Sequence, residues 1–251
     1  MTPEGPPLVV AITGASGAPY AIGLLRTLLG LGRSVHLTIS PSAVEVMRAE
    51  IGRAPSLDAF DPAHLLGDVD ASRLVYHDHR DFSAGIASGS FLTGGMVVVP
   101  CSMSTLGSIA HGITTNLVTR AADVHLKERR KLILVPRETP LNLVHLENMA
   151  QVTRAGAVVL PASPAWYHRP KGLDDMVAFV VGRICAQLGV PNHLITRWGE
   201  GEGAWPGSSS SPELPPASAR RSPARSPAAA WRPRWSSSPA AAIAWMRWPR
   251  S

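Results

Sequence analysis

The sequence predicts one doubly wound α/β domain over residues 1–201, a single parallel sheet with helices on both faces, followed by a low-complexity tail over residues 202–251. Three observations carry this. Short apolar runs rich in β-branched residues alternate with segments of helical length from Leu8 to Leu188, the βαβ pattern of a parallel sheet. Several of those runs end in glycine or hydroxyl residues just before a helix. Beyond Glu202 the chain turns to Pro, Ser, Ala, Arg and Trp with neither helical nor strand periodicity, a composition expected to stay disordered.

Leu8 to Thr13 reads as the first strand, and Gly14-Ala15-Ser16-Gly17 as a tight turn into a helix from about Pro19 to Leu31. Val35 to Ile39 is the second strand and ends at Ser40; Pro41 suits the first turn of the next helix, which runs to about Glu50. Residues 52–72 read as loop and short helix, and Leu74 to Tyr76 as a further strand. Met96 to Val99 is another, with Ser102 to Thr105 opening a helix through His111. Asn116 starts a helix that reaches Lys127, and the four-residue run Leu132 to Val135, too short for a buried helix, is a core strand ended by Pro136. A helix from about Pro140 to Arg154, a strand Ala157 to Leu160 and a helix Asp174 to Leu188 complete a Rossmann-like or flavodoxin-like order without internal repeat.

A chain of 251 residues buries a substantial core. Of its formal net charge of +6, the tail's seven Arg against Glu202 and Glu213 supply +5, so residues 1–201 are nearly neutral and the basic pI does not argue for nucleic acid. Five of the seven Trp also lie in the tail. The N-terminus M-T-P-E-G-P-P has no basic n-region, and no apolar run reaches the ~18 residues needed for a membrane span, so a soluble cytoplasmic protein is expected. Cys101 and Cys185 form no C-x-x-C and read as buried small residues. His77, Asp78, His79 and Asp81 lack a second matching cluster, so no metal is expected there.

The segment R-A-A-D-V-H-L-K-E-R-R-K-L-I-L-V-P-R-E-T-P-L-N-L-V-H-L-E-N-M, Arg120 to Met149, carries the most chemistry. Arg137 and Glu138 follow the end of a core strand, where an open α/β sheet lines its ligand crevice. Lys127, Arg129, Arg130 and Lys131 make the preceding helix end basic, which suits the helix dipole and equally suits a phosphate. Gly14 to Ser16, Ser40, and the run Ser102, Met103, Ser104, Thr105 each sit between strand and helix, where unpaired N–H groups and hydroxyls cradle anions. Each alone is a plausible N-cap; three on one sheet edge point to a nucleotide. Ser40 stands where a dinucleotide site wants an acidic residue, which favours a mononucleotide such as FMN. Tyr167, Arg183 and Lys127 add donors for a second phosphate, with Arg197-Trp198-Gly199-Glu200 closing the folded part, and no D-D-x-x-D-type cluster is present for magnesium.

T-G-A-S-G-A-P-Y, A-S-G-S-F, P-C-S-M-S-T-L, the segment from Arg120 through H-L-E-N-M, and W-Y-H with a following R-W-G-E closely resemble the bacterial flavin prenyltransferases that make prenylated FMN for the decarboxylases of ubiquinone synthesis. The resemblance covers about residues 8–200, in order. The flavin-dependent cysteine decarboxylases are less similar, since Gly112 to Asn116 reads G-I-T-T-N in place of a P-A-S-A-N-T-like segment. The resemblance implies FMN contacts at Gly14, Ala15, Ser16, Ser40, Ser102, Met103, Ser104, Thr105 and Arg137. It implies a dimethylallyl phosphate site from Ser90, Arg120, Lys127, Tyr167 and Arg183, with Ser88 nearby. Glu138 is implied as the acid that protonates the leaving phosphate and then acts as base, with Ser16, Lys127 and Tyr167 also catalytic. Phe82 stands where family members carry Trp, and Glu50 and Trp198 are implied as further site residues reaching across subunits. Reduced FMN, no metal, a partner decarboxylase and a homo-oligomer, a dodecamer in the family, are implied as well. Two other classes fit the same fold: a flavin-dependent decarboxylase or oxidoreductase, and a non-catalytic flavin carrier that leaves Lys127, Glu138 and Tyr167 without a purpose.

Overall fold

A computed structural model describes residues 5–195, so the expectations for the tail and for Arg197, Trp198 and Glu200 lie outside the described residues. In chain order the elements are β1 (Leu8–Ile12), α1 (Ala18–Gly30), β2 (Val35–Ile39), α2 (Pro41–Ile51), α3 (Pro62–Leu66), β3 (Leu74–His77), β4 (Met96–Cys101), α4 (Met103–Ala110), α5 (Leu117–Lys127), β5 (Leu132–Pro136), α6 (Leu143–Ala155), β6 (Val158–Val159) and α7 (Leu173–Leu188). Most expected boundaries lie within two residues of these. The start of α6 is the exception: Asn142 accepts from the His145 N–H at 2.8 Å in a capping box, so the helix begins after the cap and not at Pro140.

The strands form one sheet in the order β3-β2-β1-β4-β5-β6, and every pairing is parallel. The chain winds outward in both directions from β1 and β4, the doubly wound order whose crevice opens between those two strands at their carboxyl ends. Alternation along β1 divides the core. Leu8, Val10 and Ile12 pack with α1 and α7 on one face, and Val9 and Ala11 with α4 and α5 on the other. Helix α1 buries Ala21, Leu24, Leu25 and Leu28, an i, i+3, i+4, i+7 stripe; each such leucine stabilises by roughly 1.5–3 kcal/mol relative to an exposed one. A Cβ on Gly23 would stand 3.0 Å from Val177 of α7, so glycine sets how closely these helices approach.

Helices that follow parallel strands run back against them, and α5 shows the consequence. Its Leu117 N–H donates to the carbonyl of His79, just past β3, at 2.7 Å; after eleven residues it feeds Lys131, whose carbonyl accepts from the N–H of Met96, the first residue of β4. The helix therefore spans from the carboxyl edge of the sheet to its amino edge, roughly 16 Å. Near that end His125 is fully buried, with Nδ1 2.7 Å from the Ala121 carbonyl and Nε2 2.8 Å from the Thr93 hydroxyl. The carbonyl only accepts, so Nδ1 donates; burial disfavours the charged ring and holds its pKa below the ordinary 6.5, and in the neutral ring Nε2 accepts from Thr93. Both cysteines are buried thiols with raised pKa values, Cys185 to about 11, as expected of core residues. No helix among the described residues is long and apolar enough to cross a membrane.

Candidate active site

At the switch point the ends of β1 and β4 are joined by one side chain. Thr13 is buried; its hydroxyl donates to the Pro100 carbonyl at 2.9 Å and accepts from the Ser102 N–H at 2.8 Å. Ser102 in turn caps α4, accepting from Thr105 N–H at 3.2 Å and donating to the Thr105 hydroxyl at 3.0 Å. Of the orphan donors at the start of α4, the amides of Met103 and Ser104 have no partner among the described residues. Ser40 caps α2 in the same manner, accepting from Ala43 N–H at 3.3 Å, with its hydroxyl 3.1 Å from that of Ser42. A Cβ on Gly14 would lie 2.6 Å from the Ser42 Cβ, so only glycine lets the first turn pass under α2.

The start of α1 is different and corrects the expectation of an open cradle there. Both Glu50 carboxylate oxygens accept from Gly17 N–H, at 3.0 and 3.1 Å, and Oε2 also accepts from Ala18 N–H at 2.8 Å. Pro19 has no N–H, and Tyr20 N–H donates to the Gly17 carbonyl at 3.0 Å. The dipole of α1 is thus complemented by a carboxylate of the same chain. Gly14, Ala15 and Ser16 remain beside the crevice through the turn itself, in which Ala15 N–H donates to the Thr13 carbonyl at 2.8 Å.

At the end of β5, Arg137 and Glu138 are exposed, and Glu138 Oε1 accepts from the Thr139 N–H at 3.0 Å. Arg137 lies close enough to Tyr20 to act on it electrostatically: burial raises the Tyr20 phenol above its ordinary value, and the guanidinium offsets part of that rise.

Lys127 is not with them. It ends α5 at the opposite edge of the sheet, paired with Glu128, against a loop in which a Gly89 Cβ would stand 2.7 Å from its Nζ. Ser88 and Ser90 share that loop with hydroxyls 2.9 Å apart. Two arginines hold it: Arg120 Nε donates to Ala87 O at 3.1 Å, and Arg130 donates to Phe91 O at 2.7 Å and to Gly89 O. The basic helix end, which suits the helix dipole or a phosphate, is divided, with Arg130 engaged in structure and Lys127 paired with Glu128 at the surface. A helix that feeds a parallel strand must end at that strand's amino end, and this signal was present in the sequence.

Tyr167 and Arg183 form a third group, against α7. The Tyr167 ring packs edge-on to Phe179, 5.8 Å between centroids, and His168 stacks on the same ring at 5.0 Å. Arg183, one turn beyond Phe179, lines with it a hollow of about 270 Å³ bounded by Val158 to Pro161. Phe82 stands half exposed after β3. The polar cluster nearby is internally engaged: Asp78 accepts from Arg80 N–H at 2.8 Å and Nε at 3.0 Å, which pulls its carboxyl to about 2, and His77 Nε2 lies 2.7 Å from His36 Nδ1. Thr13, Arg130 and the bond from Glu50 to α1 carried no sequence signal beyond a hydroxyl at a strand end and charges at helix ends.

A family model described as Flavoprotein matches residues 2–185. A curated relative from Alkalihalophilus pseudofirmus, named flavin prenyltransferase UbiX, is 47% identical over 197 residues, covering 77% of this chain and 96% of its own. A solved UbiX protein called PadA1, in complex with FMN and dimethylallyl pyrophosphate, is 40% identical with a TM-score of 0.70, covering 78% of this chain and 99% of its own. A dodecameric FMN-dependent UbiX-like decarboxylase from Escherichia coli is 43% identical with a TM-score of 0.65, covering 73% and 94%.

Proposed function

The chain belongs to the Flavoprotein family and is a flavin prenyltransferase, and from that premise we propose that it joins the dimethylallyl group of dimethylallyl phosphate to N5 and C6 of reduced FMN, without a metal. The observation that carries the placement is the open start of α4 beside the end of β5: unpaired Met103 and Ser104 amides, the Ser102 and Thr105 hydroxyls and Arg137 fit a flavin phosphate. Ser40 and the Gly14 to Ser16 turn complete that wall. Reduced FMN, when bound, supplies the nucleophilic N5 and C6.

Glu138, next to Arg137 in sequence, is assigned to protonate the departing phosphate and then to take a proton as base, and Ser16 is assigned to the catalytic set with it. Lys127, Tyr167 and Arg183, aided by Ser90, Arg120 and Ser88, hold the phosphate ester. Fixed cationic and phenolic donors stabilise the leaving dianion in the role a metal otherwise fills. The Phe82 face shields the allylic carbon. Because Lys127 and Glu138 lie at opposite edges of one sheet, a complete site takes residues from more than one copy of the chain, and the dodecameric relative supports a homo-oligomer. The product serves a decarboxylase that uses prenylated FMN, and two buried thiols suit the reducing cytoplasm.

Anaerobic incubation with reduced FMN, dimethylallyl phosphate and EDTA is expected to yield a flavin heavier by one five-carbon unit. Unmodified flavin, or activity lost to EDTA and restored by magnesium, would overturn the proposal.

A further inference from the structure

We propose that Thr13 is a positioning residue of the flavin site, whose hydroxyl fixes the first turn of α4 in the geometry that leaves two amides open to the flavin phosphate. This rests on the assignment of that phosphate to α4.

The β1–β4 ladder pairs Val9 with Met96, Val10 with Val97 and Ala11 with Val98, and goes no further. Past Val98 the β4–β5 register is also irregular before Cys101. Sheet pairing resumes on the β5 side only at Cys101 with Pro136, and on the β1 side it does not set where Pro100 and Ser102 lie, although these residues aim α4. Thr13 takes that role with three bonds: its N–H donates to Pro100 O at 3.2 Å, its hydroxyl donates to the same carbonyl at 2.9 Å, and Ser102 N–H donates to the hydroxyl at 2.8 Å. Thr13 is only 2% exposed, so water does not replace a bond that is lost.

The bond to Ser102 also decides which donors remain. With Ser102 N–H held by Thr13 and Thr105 N–H by the Ser102 hydroxyl, the amides of Met103 and Ser104 are the ones that project without a partner. Valine at position 13 keeps the volume and the methyl but leaves Pro100 O with one bond fewer and Ser102 N–H with none. Serine keeps the hydroxyl and loses only the methyl. A hydroxyl that acts through α4 matters for a flavin carrying a phosphate and not for one lacking it.

The test compares FMN and riboflavin binding to the full-length chain and its Thr13→Val and Thr13→Ser variants. Thr13→Val, which loses both side-chain bonds, is expected to bind FMN about tenfold more weakly, with riboflavin affinity within about twofold of wild type. The FMN KM rises in parallel while kcat at saturating FMN stays within about threefold, and Thr13→Ser behaves as wild type. Unchanged FMN affinity in Thr13→Val, equal losses for both flavins, or a Thr13→Ser loss matching that of Thr13→Val would overturn the positioning role. Thr13→Ala is read in the same way where Thr13→Val yields no folded protein, and a chain that folds with neither shows Thr13 to be structural. Wild-type protein that binds riboflavin as tightly as FMN would overturn the phosphate assignment itself, and the Thr13 role with it; a wild-type preference for FMN that Thr13→Val retains overturns the Thr13 role alone.

Discussion

At the carboxyl edge of the sheet, α4 keeps two amides open and Arg137 and Glu138 stand exposed at the end of β5, whereas at the amino edge Arg130 is held by the carbonyls of Phe91 and Gly89 and Lys127 by Glu128. The same contrast recurs within the carboxyl edge. The start of α1 is closed by Glu50, while the start of α4, only a strand away, is not. Polar groups satisfied inside the chain hold its loops and helices in place, and backbone donors without an internal partner, as at Met103 and Ser104, are open to a ligand. Charge type alone does not separate the two sets, since arginines occur in both.

The largest effect expected from breaking this contrast is at Glu138. Glu138→Gln keeps the shape and removes the proton donor, so turnover is expected to fall by ~10² to 10⁴ with FMN affinity within about twofold of wild type. Steady-state rates beside flavin titration check it, and an unchanged rate would remove Glu138 from the chemistry.

A smaller effect sharpens the comparison between the edges. If a site takes Lys127 from one copy and Glu138 from another, oligomers assembled from equal amounts of inactive Lys127→Ala and Glu138→Gln chains contain intact sites and recover about a quarter of wild-type activity. If each site were built from a single chain, every site would carry one defect and no activity would return.

The smallest expected effect is on stability. His36, His77 and His125 have pKa values lowered by burial, with His36 and His77 further tied by a 2.7 Å contact that needs one neutral ring. Their folded pKa values lie below the unfolded value near 6.5, so the stability they contribute is full above that pH and is lost as pH falls through the folded values. Acidification from about pH 7.5 to about 5.5 should lower the thermal midpoint, by roughly 2–4 °C for each kcal/mol lost. A midpoint that stays level or rises over that range would contradict the neutral assignment.

Sheet and helices were legible because their causes are local. The runs Leu8 to Ile12 and Leu132 to Val135 show strand character in their own residues, and Ser40, Ser102 and Asn116 announce helix starts by side chains that cap within three residues. At α6 two local signals compete: Pro140 suits a first turn, whereas Asn142 caps the helix by accepting from the backbone N–H of His145, and the cap wins.

By itself the sequence determined the α/β alternation, the strand ends at which Ser102, Arg137 and Glu138 stand, and the residue types that resemble a flavin prenyltransferase. Tertiary structure alone decided which of these polar groups are satisfied. Glu50 meets α1 across 32 residues of chain, Thr13 meets Ser102 across 89, and Arg130 meets Gly89 across 41. Such bonds depend on how the sheet brings distant segments together, and a hydrogen-bond donor or acceptor looks the same in sequence whether its partner lies within the fold or arrives with a ligand.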